Sequence, residues 1–129
     1  MMKRSAALLG GLLLLAGSGC IQGPGGKMEA AKAFGFESGR TPYAAAICIA
    51  RNAKTLPNVT AEERLLGEAS WEVVVRESGW AAGTLAVAEA HNTGSGSLVS
   101  VRVTDRQRGD HESFARHLLA DCQARMVAR

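Results

Sequence analysis

The chain has little from which to build a metal centre or a catalytic site. Its three histidines, His91, His111 and His117, never fall three or four positions apart, the spacing that sets two ligands on one helix face, so no metal site is expected. Ser95 and Ser97 sit beside Gly94 and Gly96 in a Gly/Ser loop that lacks the G-x-S-x-G order of a nucleophile elbow. No helical pattern follows those glycines, which removes the phosphate-cradle reading as well. The formal net charge of the 129 residues is only +3, which is no argument for nucleic-acid binding. Glu62, Glu63 and Glu68 read as a solvated face rather than an acid-base pair. Arg108-Gly109-Asp110 and Asn58-Val59-Thr60 spell an adhesion tripeptide and a glycosylation sequon, both too short to carry weight. No catalytic residue, cofactor or metal is therefore expected, and the chain reads as a non-enzyme.

Long apolar runs are missing too. The longest, Ala6 to Ala16, is leucine-rich but only about eleven residues long, against roughly 20 for a membrane-spanning helix. It follows Met1-Met2-Lys3-Arg4, and a positive start before a short apolar stretch is the pattern of an export signal. The stretch runs into Ala16-Gly17-Ser18-Gly19-Cys20, which resembles the lipobox of bacterial lipoproteins. That resemblance covers the leader alone. It implies removal of residues 1–19, a diacylglycerol on the sulfur of Cys20 and a fatty acyl chain such as palmitate on its amine. Several acyl chains would hold the protein on a bilayer. The resemblance further implies, from Ile21 in place of Asp after the cysteine, sorting to the outer membrane facing the periplasm. An ordinary secretory signal cut nearby would instead leave Cys20 as a thiol.

Removal of the leader leaves about 110 residues, enough for one domain. Lys3 and Arg4 go with it, so the charge of +3 falls to about +1, and a nucleic-acid partner becomes still less expected. With Cys20 assigned to lipid, Cys48 and Cys122 remain as the one possible intrachain pair in an oxidising compartment. The alternative is two buried thiols acting as small hydrophobes.

Residues 20–40, with Gly23-Pro24-Gly25-Gly26 and few large apolar side chains, read as a lipid-anchored flexible tether in which Phe34 and Phe36 are the exceptions, expected to dock on the domain or, as the alternative, to touch lipid. The domain is expected over 41–129. Thr41-Pro42 opens a helix running to about Lys54, with Cys48 on its buried stripe. Thr60 and Glu63 have the spacing of a capping box before a short helix. Alternation around Trp71, Val73 and Val75, again from Thr84 to His91, and again over Val99, Val101 and Val103 predicts three strands. Asp110 is expected to cap a last helix extending to about Ala128, with Phe114, Leu118, Cys122 and Met126 on one arc. The fold class expected is α+β, in the order α-β-β-β-α: a three-stranded antiparallel meander with two helices packed on one face and the cysteines meeting between them.

The uncovered face of that sheet was the natural place for a partner. Val74, Arg76, Ala86, Ala88, Ala90 and Arg102 make a candidate partner face, small at its centre and charged at its rim. Edge strands offer another route, by pairing with a strand of a second protein. Trp71 and Trp80 read as core and loop anchors. The expectation is thus a small envelope lipoprotein bound to a membrane through its lipid and to a protein partner, as an accessory or assembly subunit of an envelope complex. The alternative is an inhibitor or immunity-type lipoprotein that neutralises an exported toxin or wall-degrading enzyme.

Overall fold

A computed structural model describes residues 32–80 and 83–128. The expected signal peptide, the lipobox-like segment and Cys20 lie outside the described residues. The tether, by contrast, does not extend to residue 40. Lys32–Ser38 is a strand, β1, whose Phe34 and Phe36 are buried in the core. Alternation of Phe34, Phe36 and Ser38 with Ala33, Gly35 and Glu37 had the period of a strand, but Gly35 and Gly39 made it look like linker.

Next come helix α1 (Pro42–Ala53), strands β2 (Val59–Leu65), β3 (Ser70–Glu77), β4 (Thr84–Asn92) and β5 (Ser97–Val103), helix α2 (His111–Leu118) and strand β6 (Ala124–Ala128). Among the described residues these six strands form one antiparallel sheet in the order β2-β3-β4-β5-β1-β6. The three-stranded α-β-β-β-α meander is therefore incorrect. Its three strands are present as β3, β4 and β5, the centre of a sheet twice as wide. The sheet has a proximal end, where β1 starts at Lys32 beside Val103, and a distal end, where β1 finishes at Ser38 beside Ser97.

Two of the added strands had been assigned to helices. Thr60 caps nothing: residues 59–65 pair with β3, from Val59 opposite Glu77 to Leu65 opposite Trp71. Glu62 and Glu63 accordingly stand on a strand, and Glu68 in the turn after it. The last helix stops at Leu118 instead of continuing to Ala128, because the chain turns sharply through Asp121 and Gln123, both at positive φ (60° and 56°). Beyond that turn Ala124 and Met126 lie against the core as part of β6.

Both helices cover the same face, α1 across β2, β3 and β4, and α2 across β5 and β1. Thr41 caps α1, its hydroxyl accepting the Ala44 N–H at 3.3 Å, and Asp110 caps α2, its carboxylate accepting the Ser113 N–H at 2.8 Å. The buried side of α1 is Ala45, Ala46, Cys48, Ile49, Ala50 and Ala53, so the helix presents mostly methyl groups to the sheet. Under it lie Ala86, Ala88 and Ala90 of β4, flanked by Val73 and Val75 and by Val99, Val101 and Val103. Alanine on both sides lets helix and sheet approach closely.

Cys48 of α1 and Cys122, just past α2, form a disulfide with a sequence separation of 74 and a Cα–Cα distance of 5.9 Å. Asn52 reinforces it, its amide donating to the carbonyls of Leu118 (2.9 Å) and Ala120 (2.8 Å). At the distal end two buried serines are satisfied by backbone: Ser38 donates to the Cys122 carbonyl at 2.8 Å and Ser97 to that of Arg40 at 2.6 Å. Gly96 is required here, since a Cβ at that position would strike the carbonyl oxygen of Ser38.

Candidate interaction surfaces

The face turned away from the helices is not the one the sequence suggested. Ala86, Ala88 and Ala90 are between 0% and 2% exposed and belong to the core beneath α1, so they cannot meet a partner. Alternation alone points Leu85 and Val87 inward, whereas the structure buries Leu85 together with the alanines across a bulge and turns Val87 out. Inward-pointing alanines are what the close approach of α1 demands. Val74, Arg76 and Arg102 do lie on the open face, together with Glu72, Val87, Glu89 and His91 of the two central strands. Val74 is nevertheless buried, for long charged side chains around it take the place of a covering layer.

The register dictates the electrostatics of this face. Glu72 and Glu89 stand directly opposite each other on β3 and β4, an arrangement of like charges that is unfavourable unless compensated. Compensation comes from both sides. Arg64 binds Glu72 through Nε at 3.1 Å and a terminal nitrogen at 2.8 Å. Glu89 lies 3.9 Å from the Arg102 guanidinium and 3.2 Å from His91 Nε2, and the other His91 nitrogen is 2.8 Å from the Ser70 hydroxyl. The Nε of Arg102 is buried without a hydrogen-bond partner. The open face is thus a largely self-neutralised lattice of ion pairs, without a sizeable apolar centre.

The other histidines serve local contacts. His111 Nε2 is 3.0 Å from the Gln107 carbonyl, and His117 Nε2 is 3.2 Å from the Asn52 carbonyl and 3.1 Å from the Thr55 hydroxyl. Among the described residues no three His, Cys, Asp or Glu side chains gather as a metal site would need. No helix among them is long and apolar enough to cross a membrane. Asp110, the end of the adhesion-like tripeptide, is occupied as the α2 cap. Its bonds to the side chain and backbone N–H of Ser113 hold its carboxyl below the usual carboxylate range. A shallow depression of about 660 Å³ opens at the distal end among Ser38, Gly39, Ser95, Gln123 and Arg125. Its two buried-serine neighbours already spend their hydroxyls on backbone carbonyls.

Besides Leu98 and Val127, which are exposed on β5 and β6, two exposed apolar features stand out, one at each end of the sheet. Distally, Leu65 (59% exposed) and Leu66 follow one another at the end of β2, Leu65 pairs with Trp71, and the Trp71 ring packs at a 55° tilt against Tyr43 (53% exposed) with centroids 4.7 Å apart. This patch lies on an edge strand, since β2 has a neighbour on one side only. Proximally, Trp80 stands fully exposed in the connection between β3 and β4. It is not the loop anchor expected. Sequence reasoning missed the distal patch because Leu65 and Leu66 were assigned to a short helix; reading 59–65 as period two would have placed Leu65 beside Trp71.

Compared with protein-family models, curated proteins and solved structures, the chain matches none of them.

Proposed function

We propose that this chain is a lipid-anchored protein of the bacterial envelope, non-enzymatic, which serves as an accessory or assembly subunit by holding a protein partner at its distal end. The observation that carries the reading is the contiguous apolar patch of Tyr43, Leu65, Leu66 and Trp71 on the edge of the sheet. A partly covered aromatic pair beside two exposed leucines is the composition of an interface centre, with Glu63 on the same face of β2 and the charges of Glu62 and Arg64 on its other face. The same charges discourage the unpaired edge of β2 from pairing with a second copy of itself, which favours a different protein as the partner. The lipobox-like leader supports the anchor, and the disulfide is in keeping with an oxidising compartment.

The test is site-specific photocrosslinking in the intact exported protein. A photoreactive residue in place of Leu65 is expected to yield a discrete adduct that Tyr43→Ser weakens several-fold, whereas the same probe in place of the exposed Arg51 on α1 yields none. Identical adducts from both positions, or no adduct from position 65, would remove the distal patch as a docking site.

A further inference from the structure

Trp80 is exposed to the limit its side chain allows, at 101% of the reference accessibility, while Trp71 of the same strand pair is half-buried against Tyr43. An indole in water forgoes the burial of about 150–250 Å² of largely apolar surface. It also carries an N–H donor, and the two together suit the boundary between lipid and water better than a dry protein core.

Its position in the fold says which way it faces. β3 ends at Glu77 opposite the beginning of β2, the Glu77 N–H donates to the Gly83 carbonyl at 3.0 Å, and β4 then leaves from Thr84. Across the sheet Ala86 pairs with Val103, and Val103 with Lys32. Trp80 therefore caps the end at which the chain coming from Cys20 joins the sheet. Eleven residues lie between Cys20 and Lys32, a reach of about 40 Å at most, so an acylated Cys20 would tether the domain to the bilayer by this end. The surrounding charges are mixed. Arg106 is paired with Glu77 at 2.9 Å, and Lys54, Arg108, Asp105 and Asp110 lie in the neighbouring loops, so no strong net attraction to anionic headgroups is built in.

We propose that the Trp80 tip is a second, non-covalent contact with the membrane: the indole seats at the lipid-water boundary and orients the domain with its proximal end down and its distal patch outward. This inference rests on the lipid-anchor reading. Because the contact comes from the indole rather than from charge, it is expected on zwitterionic bilayers and to persist in high salt.

The experiment uses the whole exported protein, with its native N-terminus, on phosphatidylcholine vesicles with and without acyl chains labelled by a fluorescence quencher. Wild type is compared with Trp80→Ser, a change at a fully exposed position. Expected are a blue shift of tryptophan emission on vesicle addition, loss of at least half of the Trp80 signal to a shallow-placed quencher, and neither effect in Trp80→Ser. Vesicle flotation and intact mass are measured on the same samples. Protein that carries acyl mass and floats, but whose emission is unchanged by the vesicles, overturns the Trp80 contact and leaves the anchor standing. Protein without acyl mass that fails to float overturns the anchor, and the orientation with it. Emission that shifts only in native membranes, never on bare lipid, assigns Trp80 to a protein and also overturns the lipid seat.

Discussion

At the scale of single residues, Ala88 is the most informative position. The alternation Leu85-Ala86-Val87-Ala88 reveals a strand but not its orientation, since a size rule points the larger residues inward. The structure turns Ala86, Ala88 and Ala90 inward and leaves Val87 outward, because α1 brings its own alanines to within contact of β4, while a bulge at the start of β4 lets Leu85 join the core as well. Enlarging Ala88 to Leu is expected to cost about 1–3 kcal/mol through overpacking, seen as a lower Tm in thermal unfolding. A surface position would tolerate that change with almost none. Asp110 makes a second residue-scale prediction. Its folded-state pKa is lowered by the Ser113 bonds, so its contribution to stability is fully present above the ordinary carboxylate range and is lost as pH falls through the lowered value. Asp110→Ala should lower the Tm at neutral pH and leave wild type and variant converging in acid, which thermal scans from pH 7 down to about pH 2 would measure. Both caps, Thr41 and Asp110, could be read from the sequence because a cap is a local device, settled within three residues.

At the scale of elements, what could be read were those whose signals are local: α1 with its Thr-Pro start, the three central strands, and the start of α2. Missed were β1 and β6, which are strands only by virtue of neighbours far away in sequence, and β2, whose partner β3 is local but whose Thr60-Glu63 spacing imitates a helix cap. β6 is the clearest case. The apolar residues from Phe114 to Met126 do fit a helical arc, yet Cys122 is drawn to Cys48, Asn52 takes the carbonyls of residues 118 and 120, and Ser38 takes that of Cys122. Three long-range restraints end the helix and release the last residues to pair with β1. Breaking the disulfide, by reduction or by Cys122→Ala, is expected to cost about 4 kcal/mol from the large loop it closes. Hydrogen exchange should then show β6 and the turn before it losing protection before the central strands do. Equal loss across the sheet would mean that the bridge does not act locally on β6.

At the scale of the whole molecule, the sheet joins the two ends of the domain, for β1 lies between β5 and β6. No window of sequence announces that order, because it depends on Phe34 and Phe36 meeting Val101, Val99 and Met126 across most of the chain. The order also segregates two apolar features to opposite ends, Trp80 at one and the Leu65–Tyr43 patch at the other, with a lattice of ion pairs on the open face between them. For the candidate site the sequence supplied the cysteine bridge, now formed, and the open-face positions of Val74, Arg76 and Arg102. It could not supply the exposed leucines, which become a surface only once β2 is recognised as an edge.

The pairing of β1 with β6 has a practical side as well. β6 runs back from Ser38 towards the end where β1 begins, with Ala128 opposite Gly35. A reporter or epitope fused behind β6 would therefore set out towards the end of the sheet that carries the start of β1 and the exposed Trp80. The exposed hairpin around Gly94 and Ser95, at the far end, is the roomier place to graft one.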